Sequence, residues 1–182
     1  MRTLVGTEIE YGISSQALDP QLVSEATIAR VPGVRLGVVD RFLANGSRIY
    51  VDHGHPEYSG PECASARDAL LHELVGDQLM MAGAAGAALH FGQAVRLHRN
   101  NTDGKGRSYG YHENTLLPRD LDWDRLAGDL IAHLASRVVL VGAGRVGIGP
   151  SGHTGGFQTS QRADFMETLQ APETTIRRPL IN

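Results

Sequence analysis

The chain has a single cysteine, Cys63, in 182 residues. That excludes an internal disulfide and suits a reducing compartment. No apolar run approaches the roughly 20 residues that span a bilayer. The N-terminus, MRTLVGTEIEYG, meets acidic residues too early for a secretory signal. Basic charge is not in excess either. The formal net charge is −3, and lysines and arginines are scattered rather than striped, which gives no footprint for nucleic acid or a membrane surface. Repeats, low-complexity tracts and linkers are missing too. The composition is 41% hydrophobic and 20% charged, so disorder is not expected. The length suits one sizeable core and is short for two. These features predict a cytoplasmic globular protein.

Residues 3–13 alternate. Thr7, Ile9, Tyr11 and Ile13 point one way; Gly6, Glu8, Glu10 and Gly12 point the other, as a strand requires. Residues 14–44, with Asp19-Pro20 and Pro32-Gly33, predict a loop with some short helix. Asn45-Gly46 predicts a turn into a second strand, SRIYVDH, with Ile49 and Val51 opposite Tyr50 and Asp52. The two prolines of HPEYSGPEC predict loop or edge segments. Ser65 and Asp68 resemble a capping box before a helix carrying Leu70, Leu71, Leu74, Val75 and Leu79, which Gly83 and Gly86 are expected to end. A strand is expected around Ala94–His98, followed by the turn-rich NNTDGKGRSYG. A second helix is expected from Asp122, with Leu126, Leu130, Ile131 and Leu134 on one face. Then comes a buried strand, VVLV, and a mixed segment, FQTSQRADFMETL, with strand character. Strands and helices that do not alternate strictly predict an α+β fold with a largely antiparallel sheet.

Several short motifs invite chemistry and fail on context. Gly142, Gly144 and Gly147 match G-x-G-x-x-G after VVLV. A dinucleotide fingerprint needs a helix directly after the glycines, and IGPSGHTGGF cannot start one. The expectation is therefore a strand running into a mobile glycine loop. Gly104-Lys105 lacks the earlier glycine of a phosphate-binding loop, and Gly149 to His153 lacks the second glycine of a nucleophile elbow. Cys63 has no setting for a catalytic thiol and reads as a small buried residue. His53 and His55, two apart on a strand, would aim the same way; without a third ligand, a structural or supporting role is expected rather than zinc.

The carboxylates carry more. Glu8 and Glu10 share one face of the first strand, and adjacent anions are tolerated mainly when a cation sits between them. The competing reading is a solvated strand face. Tyr50 and Asp52 share a face of the second strand, and Glu57 and Glu62 follow. Paired strands would gather Glu8, Glu10, Asp52 and Glu57 into one hard-oxygen site, suited to Mg²⁺ carried by nucleotide phosphates. Arg99, Asn100, Asn101 and Arg162 are candidate donors to phosphate oxygens.

These segments also carry a resemblance. GTEIEYGIS at 6–14, NGSRIYVDHGHPEYSGPEC at 45–63, NNTDGKGRSYGYHEN at 100–114, and GRVGIGPSG with SQRADF resemble the Pup ligase and Pup deamidase/depupylase family. The matching segments spread over nearly the whole chain. The resemblance implies a carboxylate-amine ligase with a glutamine-synthetase-like fold, in which a curved antiparallel sheet cradles ATP and helices pack behind it. VDHGHPEYS, RVGIGPSG and GFQTSQRADF look like the depupylase branch, which cleaves the isopeptide bond between Pup and lysine and deamidates a C-terminal glutamine of Pup. By motif position, Glu8, Tyr50 and Glu57 would coordinate Mg²⁺, with Glu10 joining or supporting them. Asp52 matches the catalytic aspartate, either attacking the amide carbonyl or activating a water. Arg162 would bind phosphate or the Pup carboxylate, with Asn100, Asn101, His112 and Glu113 in supporting places. The implied cofactors are Mg²⁺ with ATP, or with retained ADP and phosphate.

Two departures accompany the resemblance. The stretch 14–44 is too short for the long insertion usual in depupylases. Family members also continue well beyond this length, so residues 1–182 are expected to be the N-terminal part of one catalytic domain. The remainder of the sheet and a C-terminal domain would lie outside, and a second chain is expected to supply them. Expected partners are Pup and pupylated proteins. The alternatives are a Pup ligase, and a nucleotide- or Pup-binding pseudoenzyme.

Overall fold

The computed structural model describes residues 3–151, 156–174 and 177–182. They form two compact units, one running up to Asn100 and including Tyr109–Leu116, the other comprising Asn101–Ser108 and Leu117–Asn182.

The first unit is built on a sheet. The alternating N-terminus forms β1 (Val5–Glu10) and, after Tyr11, β2 (Gly12–Ser15). A nine-residue helix, α1 (Pro20–Ile28), follows, with Asp19 accepting from the amides of Gln21 and Leu22 and Pro20 in the first turn, where its missing N–H costs nothing. Next come β3 (Val34–Arg35), β4 (Asp40–Phe42), β5 (Arg48–Asp52) and β6 (His55–Ser59). After α2 (Ala66–Phe91) the chain adds β7 (Val95–His98), which pairs with β2, and β8 (Tyr111–Thr115), which pairs with β1. The main sheet has the order β3-β4-β5-β6-β1-β8, with every pairing antiparallel.

One side of this sheet is apolar and covered. Ile9, Tyr11, Ile49 and Tyr58 join Ile28, Val31, Leu43 and Met80 in one core cluster. Fully burying side chains of this size stabilises by roughly 1.5–3 kcal/mol each. The sheet approaches α2 through Gly76, where an added Cβ would meet the Tyr58 ring at 2.6 Å.

Three expectations for this unit are corrected. HPEYS is not a loop or an edge: β6 lies between β5 and β1. Pro56 is tolerated there because its carbonyl still accepts from the Tyr11 amide at 2.9 Å, while His55 Nδ1 meets the Tyr11 carbonyl at 3.0 Å in place of the missing proline N–H. Gly83 and Gly86 do not end α2, which continues to a left-handed cap at Gly92. They let α1 and the residues just after it approach instead; a Cβ at Gly83 would sit 2.7 Å from the Thr27 carbonyl, and one at Gly86 2.8 Å from Arg30 Cδ. His53 and His55 do not share a strand, because His53-Gly54 is the two-residue turn of the β5–β6 hairpin, with φ of 46° and 86°. The capping box at Ser65 is present, Asp68 N donating to Ser65 Oγ at 3.1 Å. However, Leu70, Leu71, Leu74 and Val75 are exposed, and α2 packs through Ala69, Glu73, Gly76, Met80, Gly83, Ala84 and Ala87.

The second unit holds α3 (Trp123–Val141), capped by Asp122, with Leu126, Leu130, Ile131 and Leu134 all half-buried as a shared face predicts. Its hairpin joins β9 (Arg145–Gly147) to β10 (Gly156–Gln158). VVLV is therefore the last turn of α3, not a strand, and it leads into β9 rather than into a glycine loop. Nothing between Asp122 and Gly142 breaks a helix, and an apolar run of this length fits either element. The fingerprint glycines thus follow a helix, a second reason against a dinucleotide loop. Part of the glycine stretch, residues 152–155, lies outside the described residues. Of FQTSQRADFMETL only Phe157–Gln158 are strand, and Ala163–Phe165 make one 3-10 turn. Arg145 is buried against Asp164 at 2.5 Å and stacks over Phe165. Among the described residues no helix is long and apolar enough to cross a membrane.

Candidate functional site

The other side of the six-stranded sheet is acidic, and strand register assembles it. Glu10 pairs across β1 and β6 with Glu57, and Glu57 pairs across β6 and β5 with Tyr50. Side chains of paired residues project to the same side, so Glu10, Glu57 and Tyr50 form one row. Asp52 and His55 form the next row, and Glu8, Ser59 and Arg48 the row on the opposite flank, continued on β8 by His112. Glu10, Asp52 and Glu57 bring carboxylate oxygens within 4.8 Å of one another.

The electrostatics of this group are unbalanced. Among the described residues no lysine or arginine ion-pairs with Glu10, Asp52 or Glu57. Burial, and then the charges of Glu10, Glu8 and Asp52, push the Glu57 carboxyl up to about 7, against a hydrogen bond from Tyr50. Burial and the bond to Glu57 push the Tyr50 phenol well above its usual range. Such a cluster is held by adding positive charge or by keeping a proton. Three hard oxygens converging from rigid strands suit a divalent cation with the remaining positions left to water or phosphate.

Glu8 is not among the three, although it shares their side of the sheet. It is held by His112 Nδ1 at 3.0 Å and Ser59 Oγ at 3.1 Å. The bond from His112 keeps its carboxyl below the ordinary range, and Glu8 in turn raises the imidazole. Asn100 accepts a hydrogen bond from the Tyr109 hydroxyl. Asn101 and Arg162 belong to the second unit, where their amides donate to Gln161 Oε1 and Ser160 Oγ. Arg99 is corrected as a phosphate donor: its guanidinium ion-pairs with Glu73 and with Asp77 at 2.6 Å. Two features escaped the sequence reading: β8, whose segment YHENT lacks apolar alternation, and the contact of His53 Nδ1 with Asp52 Oδ2 at 2.8 Å.

Comparison with known proteins bears on this geometry. The model of the family described as Pup-ligase protein matches residues 20–182. This chain belongs to that family. A Pup deamidase/depupylase from Mycolicibacterium smegmatis is 38% identical, over 100% of this chain and 45% of its own length. A depupylase from Acidothermus cellulolyticus is 44% identical, over 94% of this chain and 33% of its own. A Pup–protein ligase from Micrococcus luteus is 40% identical, over 100% of this chain and 42% of its own. The chain thus spans less than half the length of these relatives. Among solved structures, the complex between prokaryotic ubiquitin-like protein Pup and its ligase PafA matches with a TM-score of 0.76. It is 29% identical and covers 90% of this chain and 35% of that one. The fold class is the one expected: α+β, glutamine-synthetase-like, with a largely antiparallel sheet and helices packed on one side.

Proposed function

We propose that this chain carries the Mg²⁺–nucleotide site and the catalytic aspartate of a depupylase and Pup deamidase. The reaction is hydrolysis of the isopeptide bond between the C-terminal glutamate of Pup and a substrate lysine, and of the side-chain amide of a C-terminal glutamine. The observation that supports this reading is the convergence of Glu10, Asp52 and Glu57 within 4.8 Å on three adjacent strands, with no lysine or arginine ion-paired to them among the described residues.

In this reading Glu10 and Glu57 hold the cation, with Tyr50 fixing one Glu57 oxygen and Glu8 supporting the flank. Bound Mg²⁺, with ATP or with retained ADP and phosphate, supplies positive charge for an oxyanion. Asp52 stands at the end of β5, where its carboxylate either attacks the amide carbon or takes a proton from the attacking water. Cleavage then releases an amine and a carboxylate. A carboxylate is a weak nucleophile, so the rate comes mainly from positioning and from oxyanion stabilisation. Arg162 is assigned to an anionic group, phosphate or the Pup carboxylate, on the strength of its planar fork, and Asn100, Asn101 and His112 to supporting contacts. Pup and pupylated proteins are the partners, and the rest of the fold, in the same or a second chain, completes the enzyme.

A ligase is the second reading, favoured by relatives of that name at similar identity and by the PafA structure. Product analysis separates the two. The chain, alone and together with the remaining part of a relative's fold, is given a Pup–protein conjugate and Pup ending in glutamine, with Mg-ATP. Release of free protein and of ammonia without matching ATP consumption is expected. New conjugate formed with one ADP per bond would make it a ligase, and no product of either kind would overturn both.

A further inference from the structure

The tip of the β5–β6 hairpin holds a residue that neither the fold nor the proposed reaction has used. His53 is the first of two turn residues and has φ of 46°, a region where asparagine or glycine is the ordinary occupant of such a hairpin. Packing does not explain a histidine there, since its side chain is 81% exposed. Pair stability does not explain it either, because exposed ion pairs contribute little. Its Nδ1 lies 2.8 Å from Asp52 Oδ2, the only hydrogen bond that the Asp52 carboxylate makes among the described residues. Asp52 is the last residue of β5, with no following strand residue to wedge its side chain.

We infer that His53 is a positioning residue for Asp52: the left-handed turn folds the imidazole back so that Nδ1–H fixes one carboxylate oxygen and leaves the other facing the reaction. The catalytic consequence rests on the proposed function of Asp52; the contact itself does not. A donor that orients a reacting or ligating group through one atom typically changes rates or affinities by about tenfold to a hundredfold when removed.

Two substitutions at this position leave the hairpin intact, because Gly-Gly and Asn-Gly both fit a turn with two positive φ values. His53→Gly removes the donor, whereas His53→Asn returns an N–H donor near the place of Nδ1. In cleavage of a Pup–protein conjugate, kcat is expected to fall roughly tenfold to a hundredfold for His53→Gly, with KM unchanged, and most of the rate to return in His53→Asn. Equal loss in both variants, or loss in neither, would overturn the inference. A second readout needs no activity: the ring ¹⁵N shifts of His53 report an Nδ1-protonated imidazole that changes when Asp52→Ala removes the acceptor. Should cleavage be absent while that change is seen, the functional reading fails and the contact stands. Ring shifts identical in the wild type and Asp52→Ala would refute the positioning role whatever the activity.

Discussion

Two sets of carboxylates lie on opposite sides of the same six-stranded sheet. On the helix-covered side, Glu73 and Asp77 of α2 are joined by Arg99, and Tyr111 and Tyr11 donate to them at 2.5 and 2.7 Å. On the other side, Glu10, Asp52 and Glu57 converge, and among the described residues no arginine or lysine ion-pairs with them. Both sets are acidic groups on rigid elements, yet among the described residues only the first is tied to an arginine, while the second meets no more than the exposed imidazole of His53 at Asp52. A compensated set is complete as folded and serves the structure. An uncompensated one raises the free energy of the folded chain until a cation or proton arrives, which is what a binding site requires.

Substitutions that should change one side and not the other test this contrast. The largest effect is expected for Asp52→Asn, which should lower conjugate cleavage on the order of 10³-fold while Mg-ATP affinity stays close to the wild type. Near-normal turnover would move the chemistry elsewhere. Arg99→Met should cost stability and leave nucleotide binding intact. Glu73 is largely buried but Arg99 is partly exposed, so the expected loss, about 2 kcal/mol in urea unfolding, falls between the values for exposed and buried pairs. An unchanged midpoint would mean that the network is idle.

Glu57 predicts a pH signature. Its carboxyl is raised in the folded chain to about 7, so the stability linked to its protonated form is complete below the ordinary glutamate range. That stability is lost as pH rises through about 7. His112, also raised, loses stability in the same direction, at the upper end of the range. Metal-free protein should therefore melt at a falling temperature between pH 4.5 and 7, and Glu57→Gln should flatten that slope. Mg²⁺ should oppose it, because it binds the ionised form. A matched pair gives the smallest effect. Tyr111→Phe should cost about 1 kcal/mol of stability and no Mg²⁺ affinity, whereas Tyr50→Phe should weaken Mg²⁺ binding with little loss of stability. The same outcome for both would erase the distinction between the two sides.

The sequence reveals much of the site because a strand's period of two decides which side a residue takes. Glu8 with Glu10, and Tyr50 with Asp52, are placed by alternation alone. It does not reveal which strands are neighbours, and register is what makes a row of Glu10, Glu57 and Tyr50 while setting Glu8 against His112. Proline misleads at β6 because His55 supplies a polar partner for the carbonyl that Pro56 leaves without an N–H. Glycine misleads in α2 for a different reason: Gly83 and Gly86 are sites of close approach, where a Cβ would meet the Thr27 carbonyl and the Arg30 stem, and the packing they admit offsets their low propensity within a helix of 26 residues. VVLV misleads since a short apolar run does not carry its own period. The fate of Arg99 is a tertiary fact, decided by acids 22 and 26 residues away.

The measurement that bears most directly on the uncompensated cluster is a calorimetric titration at neutral pH with Mg-ATP, using NADH as the comparison ligand. The chain and its Glu10→Gln/Glu57→Gln variant would be run side by side. Saturable Mg²⁺-dependent ATP binding by the chain, lost in the variant and absent with NADH, is the predicted result. Binding that survives in the variant, or that needs no Mg²⁺, would contradict the claim that this side of the sheet is built to receive a metal-bound nucleotide.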